Sequence, residues 1–232
     1  MSAGASGPRA VFDLLHAAYG PQQWWPADGP FEVMVGAILT QNTAWTNVER
    51  AIANLKEHRS LDPSRILSTP HARLAEWLRP SGYFNIKATR LRNFCHWYLA
   101  QGGLEALARL ETAELRRQLL TVNGVGPETA DDMVLYAFGR PVFVIDAYTR
   151  RLFRRLGLID GDEKYETLRH YFEQALGTSE GSVRLFEEYH ALIVEHAKTT
   201  CRKRPDCVRC GLASHCPTGE ESSKENASAH GA

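Results

Sequence analysis

Apolar residues recur at intervals of three and four along most of the chain, and that spacing predicts helices. Phe31, Val35, Ile38 and Leu39 form one face behind Pro30, and Val48, Ile52 and Leu55 form a second. Asp62-Pro63 and Thr69-Pro70 each set a capping side chain ahead of a helix-starting proline. Leu74, Trp77 and Leu78 make a short face that Pro80 ends. A helix is read from near Lys87 to Leu99, and Gly102-Gly103 breaks the chain after it. Thr112 is read as the cap of a helix carrying Leu115, Leu119 and Leu120. Met133, Val134, Ala137 and Phe138 give a further stripe, and Leu185, Tyr189 and Leu192 mark a last long helix. Only Pro141 to Ile145 reads as a strand, and a single such run makes no sheet. The predicted fold class is all-α. Residues 219–232 are polar and rich in Ser, Glu and Ala, which predicts a disordered tail.

Composition narrows the class. The chain has 232 residues, 44% hydrophobic and 23% charged, as in a soluble globular protein with room for one or two domains. No run approaches the roughly 18 apolar residues of a membrane span. The N-terminal residues lack the apolar core of a signal peptide, so a cytoplasmic, nucleoid-associated protein is expected, with no membrane partner. Net charge is zero, so the molecule is not a polycation, and any nucleic-acid binding must come from a local patch.

Such a patch is written into residues 121–155. Asn123-Gly124-Val125-Gly126 forms a glycine turn entering a helix, where outward N–H groups backed by the helix dipole can hold a phosphate. Tight helix–helix turns also use glycine, so the turn gains weight from its neighbours in the chain. About twenty residues later Asp146 ends an apolar run and starts a helix bearing Arg150, Arg151, Arg154 and Arg155. Asp146 suits the N-cap of that helix as well as an active carboxylate, and both roles can hold at once. A glycine turn and an isolated carboxylate beside a basic helix point to chemistry on a nucleic acid.

Four of the five cysteines, Cys201, Cys207, Cys210 and Cys216, have a C-x5-C-x2-C-x5-C spacing. In a cytosolic chain this argues for metal rather than disulfides, and four thiolates suit zinc or an iron–sulfur cluster. Spacing does not choose between the two. Cys95, between Phe94 and His96, reads as a buried core residue. Arg202, Lys203 and Arg204 form a basic loop that a bound metal could aim at phosphates. Lys198 precedes Cys201 on the last helix and is read as able to approach a phosphate or a base pocket, or else as a solvated lysine. His190 and His196 on the same helix are read as packing or surface residues.

The stretch Val122 to Ala130 with Asp146 downstream resembles the helix–hairpin–helix and aspartate of the endonuclease III superfamily of DNA glycosylases. The cysteines resemble that superfamily's [4Fe–4S] loop, with five residues between the first two where the family usually has six. Gly36 to Thr43 (GAILTQNT) and Ser81 to Ala88 (SGYFNIKA) resemble further family segments, so the match runs from about residue 12 to 217. Trp24-Trp25-Pro26, the LTQNT stretch with Trp45 after it, and Arg79 to Asn85 resemble the 3-methyladenine glycosylases within the group. The resemblance implies a six-helix barrel with the hairpin motif over residues 31–139. It implies a second helical domain from 9–30 and 140–218 that carries a [4Fe–4S] cluster (zinc being the alternative), with DNA in the cleft between them. A monomer acting on double-stranded DNA with a damaged base is expected.

The resemblance also assigns roles. Asp146 would stabilise the positive charge that builds on the sugar as the bond to the base breaks. Gln41 would reach toward the estranged base and Tyr83 would act as a wedge when the nucleotide flips out. Trp25 and Trp45, with Trp24 nearby, would line the pocket, where indole faces stack on a flat, electron-poor base. Asn123, Gly124, Val125, Gly126 and Arg150 would bind the DNA backbone. Bifunctional members carry a lysine two residues after the last hairpin glycine, and this chain has Glu128 there. A carboxylate cannot form the Schiff base of a lyase, so monofunctional excision of alkylated purines such as 3-methyladenine is expected. Glu128 could still orient water or the leaving base, or serve only as a first-turn helix residue. The alternatives are a glycosylase for damaged or mismatched pyrimidines, with or without lyase activity, and a lesion-binding protein that does not cleave.

Overall fold

The computed structural model describes residues 7–22, 24 and 26–221. Most of the predicted tail lies outside them, as does Trp25. The described residues fall into two compact units, one from Met1–Trp24 and Pro141–Ala232, the other Trp25–Arg140. Both are helical. No helix of the described residues is long and apolar enough to cross a membrane.

The continuous unit is built on α2 (Pro30–Leu39), whose residues from Glu32 to Leu39 are all buried. A helix that is apolar on every side belongs in the middle of a bundle. Its one buried acid, Glu32, pairs with Lys56 at 2.7 Å and accepts the Asp28 N–H at 3.1 Å. Around it run α3 (Trp45–Glu57), α4 (Pro63–Ser68), α5 (His71–Trp77), α6 (Phe84–Ala100), α7 (Gly103–Ala108), α8 (Thr112–Leu119) and α9 (Pro127–Asp132). A π-helical stretch, Met133–Ala137, extends α9, so the apolar stripe read there as an ordinary helix is in fact wider-wound.

Asp62 caps α4 as the sequence predicts, accepting the Arg65 N–H at 2.9 Å. Two other caps differ from expectation. Thr69 closes α4 instead of opening α5, its hydroxyl donating to the Arg65 carbonyl at 2.7 Å, and Pro70 takes the N-cap place. Thr112 is the first residue inside α8, behind Glu111. In both cases the threonine sits one residue away from where its hydroxyl would have to be.

The discontinuous unit contains α1 (Pro8–Tyr19), α10 (Ala147–Arg155), α11 (Tyr165–Leu176) and α12 (Ser182–Thr199). Its core is aromatic. Phe143 and Phe172 stack at 4.4 Å, Phe153 meets Phe172 edge-on at 4.6 Å, and Phe186 and Tyr189 close the cluster around Phe143. The Tyr189 hydroxyl donates to the Pro8 carbonyl at 2.6 Å and so ties α1 to α12. The run from Pro141 to Ile145 forms no strand. Buried N–H groups need partners, and with no neighbouring strand they use side chains: Phe143 N–H donates to Glu173 at 3.1 Å and Ile145 N–H to the Tyr165 hydroxyl at 3.3 Å.

Phe172 is fully buried and touches four aromatic neighbours. Phe172→Ala should therefore cost about 3–5 kcal/mol of stability, read as a lowered midpoint in urea unfolding with little change in slope.

Candidate nucleic-acid interface and carboxylate site

In the continuous unit the hairpin lies between α8 and α9. Val122 and Val125 are buried and anchor it, and Val125 N–H donates to the Val122 carbonyl at 3.0 Å. Asn123, Gly126, Pro127 and Glu128 form its exposed tip. Gly124 has φ 102°, and a Cβ there would collide with Arg90 Cγ, so both backbone and packing demand glycine. Of the four residues read as a DNA-binding turn, Val125 can contribute only its backbone, because its side chain serves the core.

Successive turns of α6 hold this tip and two other segments. Asn93 donates to the Asn123 carbonyl at 3.2 Å. Arg90 donates to the Gln41 side-chain oxygen, and the Gln41 amide donates onward to the Gly124 carbonyl at 3.0 Å and the Thr129 hydroxyl at 2.9 Å. Gln41 thus fastens the hairpin to the end of α2. Lys87 is buried, and its ammonium donates to the Leu39 carbonyl at 2.8 Å and the Ser81 carbonyl at 2.6 Å. Burial, with a contribution from the Arg90 charge, pushes its pKa down to about 8. Tyr83, the N-cap of α6, is 68% exposed and left-handed at φ 45°. A large aromatic held outward in an uncommon conformation is the opposite of ordinary packing. Trp45 is half-buried at the first position of α3.

In the discontinuous unit Asp146 caps α10. One carboxylate oxygen accepts the Thr149 N–H at 2.7 Å and the Thr149 hydroxyl at 2.8 Å. The other lies 3.6 Å from His190 Nε2. Burial alone would raise the Asp146 pKa, but the neighbouring His190 ring, with the two Thr149 hydrogen bonds, outweighs it and holds the carboxyl below its ordinary value. The His190 ring sits 5.5 Å from that of Trp24, and the Lys198 ammonium 5.7 Å from the Trp24 ring centre. Asp146, His190, Trp24 and Lys198 therefore form one continuous group. The sequence singles out three of them, whereas His190 reads there as a packing or surface residue. The available signal was its spacing: His190 and Lys198 are eight residues, about two turns, apart on α12.

The basic helix turns largely inward. Arg150 donates to the Glu163 carbonyl at 2.8 Å, and Arg151 to the carbonyls of Cys201 at 3.0 Å and Ala197 at 3.1 Å. Arg155 donates to the carbonyls of Cys201, Arg202 and Lys203 and to the Cys201 sulfur at 3.2 Å. Arg154 is exposed. The arginines expected to face phosphate thus also brace the cysteine loop.

Cys201, Cys207, Cys210 and Cys216 are free thiols that line one small cavity, walled by Leu152, Leu156, Pro205 and Leu212. Among the described residues no three His, Cys, Asp or Glu side chains are already gathered tightly enough to hold a metal ion. The donor set itself fits one: four soft ligands face a common, apolar space. Burial raises the Cys210 and Cys216 thiols, and a bound metal would stabilise their thiolates instead.

Removing His190 takes away the largest influence that keeps Asp146 acidic. In His190→Ala the Asp146 carboxyl resonance should therefore titrate at higher pH than in the wild type, measured by carbon-13 NMR.

Comparison with known proteins gives the family. Residues 35–177 match the model of the HhH-GPD superfamily of base excision DNA repair proteins. A protein of Methanocaldococcus jannaschii, provisionally named a DNA repair glycosylase, is 46% identical over 209 residues, covering 89% of this chain and 94% of its own. Endonuclease III of Sulfolobus acidocaldarius is 28% identical over 188 residues, with 80% and 81% covered. The crystal structure of H. pylori 3-methyladenine DNA glycosylase bound to 1,N6-ethenoadenine is 30% identical, with a TM-score of 0.70 over 81% of this chain and 95% of that one. By the family match and by these relatives, the chain belongs to the HhH-GPD superfamily of base excision DNA repair proteins.

Proposed function

We propose that the chain is a DNA N-glycosylase that releases a damaged base from duplex DNA by water attack and leaves the strand unbroken. The observation that carries this reading is the buried Asp146 carboxylate, kept ionised by Thr149 and His190 at the start of α10. A target base is out of reach inside the stack, so the nucleotide must be extruded, at a cost of a few kcal/mol. Water then adds to the sugar carbon as the bond to the base nitrogen breaks, and the electron pair leaves with the base. The proton that water gives up passes through solvent to the departing base, or stays in solvent where the base leaves already neutral. The sugar gains positive charge along the way, and a fixed carboxylate offsets it without reorganising. Pure binding to a polyanion has no use for a buried anion, which argues against a sensor that does not cleave. Glu128, exposed in the first turn of α9, stands where a lyase would need an amine.

Two substrate readings each have an observation behind them. Alkylated purines such as 3-methyladenine suit the indoles expected around the base and the likeness to the H. pylori enzyme. Damaged or mismatched pyrimidines suit the endonuclease III relatives, and the charge at Trp24 favours them. The Lys198 ammonium lies over that indole, so a neutral base meets less repulsion there than a cationic methylpurine. The four cysteines would hold a [4Fe–4S] cluster, or zinc, as a structural clasp.

A panel of duplexes, each with one lesion, should release free base without alkali and without nicking, and borohydride should trap no covalent complex. Uracil or a mismatched thymine released faster than 3-methyladenine supports the pyrimidine reading, and the reverse order the purine one. Asp146→Asn should bind abasic-site duplex normally yet lose at least about 100-fold in single-turnover rate. Protein purified without oxygen should be brown with broad visible absorption if the clasp is an iron–sulfur cluster, and colourless if it is zinc.

A further inference from the structure

Lys87 is 1% exposed, and among the described residues its ammonium has no carboxylate within ion-pair reach. A buried cation is costly unless its hydrogen-bond partners are well placed. Here the partners are two carbonyls from different segments. Leu39 ends α2, where the helix dipole leaves negative charge on unmet carbonyls. Ser81 closes the short 3-10 turn, Arg79–Ser81, before α6. Each carbonyl lies two residues ahead of a side chain assigned to the DNA stack: Leu39 before Gln41, and Ser81 before Tyr83. Gln41 is held further by Arg90, one turn along the same helix. The Tyr83 carbonyl accepts the Lys87 N–H at 3.0 Å, but its side chain has no tie among the described hydrogen bonds, and, like Asn42 and Arg59, it keeps a left-handed backbone while exposed.

We propose that Lys87 is a positioning residue that locks the Gln41 and Tyr83 segments at a fixed spacing, so that both engage one extruded nucleotide as a unit. The proposal rests on the DNA-repair reading of the same unit. An apolar residue of similar length would fill the space at Lys87 but could not bridge the carbonyls. The two segments would then separate, and the wedge would lose its alignment with Gln41. An ammonium that only filled the core would leave Tyr83 unaffected when replaced.

The test is a double-mutant cycle on the full chain. Wild type, Lys87→Met, Tyr83→Ala and the double variant are titrated by fluorescence anisotropy against a duplex with a central tetrahydrofuran abasic analogue and against the unmodified duplex. Lys87→Met should weaken binding to the abasic duplex about tenfold, equivalent to about 1.4 kcal/mol. With Tyr83→Ala already present it should add less than about twofold, because coupled residues are not additive. Hydrogen exchange should speed up at the amides of 40–43 and 82–85 in Lys87→Met and stay unchanged across α8 and α9. If Lys87→Met does not fold, Lys87→Gln, which keeps two N–H donors on a shorter stem, carries the same cycle with a smaller loss. Additive losses, or unchanged exchange in both segments, overturn the proposal. A wild-type chain with no preference for the abasic duplex overturns the DNA reading instead, and the exchange data then still decide whether Lys87 joins the two segments.

Discussion

A helix end cannot be buried with its terminal peptide groups unmet, and each unit of this molecule answers that constraint with a charged side chain. In the continuous unit the C-terminal end of α2 is met by the Lys87 ammonium. In the discontinuous unit the N-terminal end of α10 is met by the Asp146 carboxylate. The signs agree with the helix dipole in both places, a cation at the negative end and an anion at the positive one. Each charge then does a second job. Lys87 reaches across to the segment that carries Tyr83, and Asp146 keeps one oxygen for His190. The groups proposed for repair chemistry are also groups needed to finish its helices.

The same constraint separates what was legible in the sequence from what was not. Helical spacing, the Asp62 cap, the hairpin glycines, the Asp146 cap and the cysteine cluster are local patterns, decided within a few residues. Thr69 and Thr112 had the right chemistry for caps, but the helices start one residue away from where those caps would act, and the Thr69 hydroxyl bonds the preceding helix instead. The other misread positions are those where the deciding partner is far away in the chain. The apolar run before Asp146 has strand character, yet Glu173 and Tyr165 take the hydrogen bonds that a strand would have supplied. His190 stands far along the chain from Asp146, and no local pattern joins them. Lys87 reads in sequence as an ordinary lysine on a helix, and only its burial reveals the bridge.

Gln41 illustrates how a residue assigned to one partner can serve another. Its amide and its oxygen are all engaged inside the unit, with Arg90 on one side and the hairpin on the other. Reaching an estranged base would mean exchanging some of these bonds for bonds to DNA. Because the exchange replaces hydrogen bonds with hydrogen bonds, its net cost is small compared with leaving a buried amide unmet. Until DNA arrives, the same bonds keep the hairpin in the shape its glycines permit.

The cysteine loop and the carboxylate are joined by a single short helix. Asp146 begins α10, and Arg151 and Arg155, one and two turns later, donate to the carbonyls of Cys201, Arg202 and Lys203. The Cys216 thiol donates back to the Arg155 carbonyl at 3.1 Å. Such a loop would gain rigidity if four thiolates shared a metal. That rigidity would pass to the last turns of α10 through the arginines and fix the direction in which its first residue points. A metal bound there would then help to set the pose of the Asp146 carboxylate. The four cysteines and the aspartate would in that case be one device, and a substitution at Arg151 or Arg155 should weaken both ends of it.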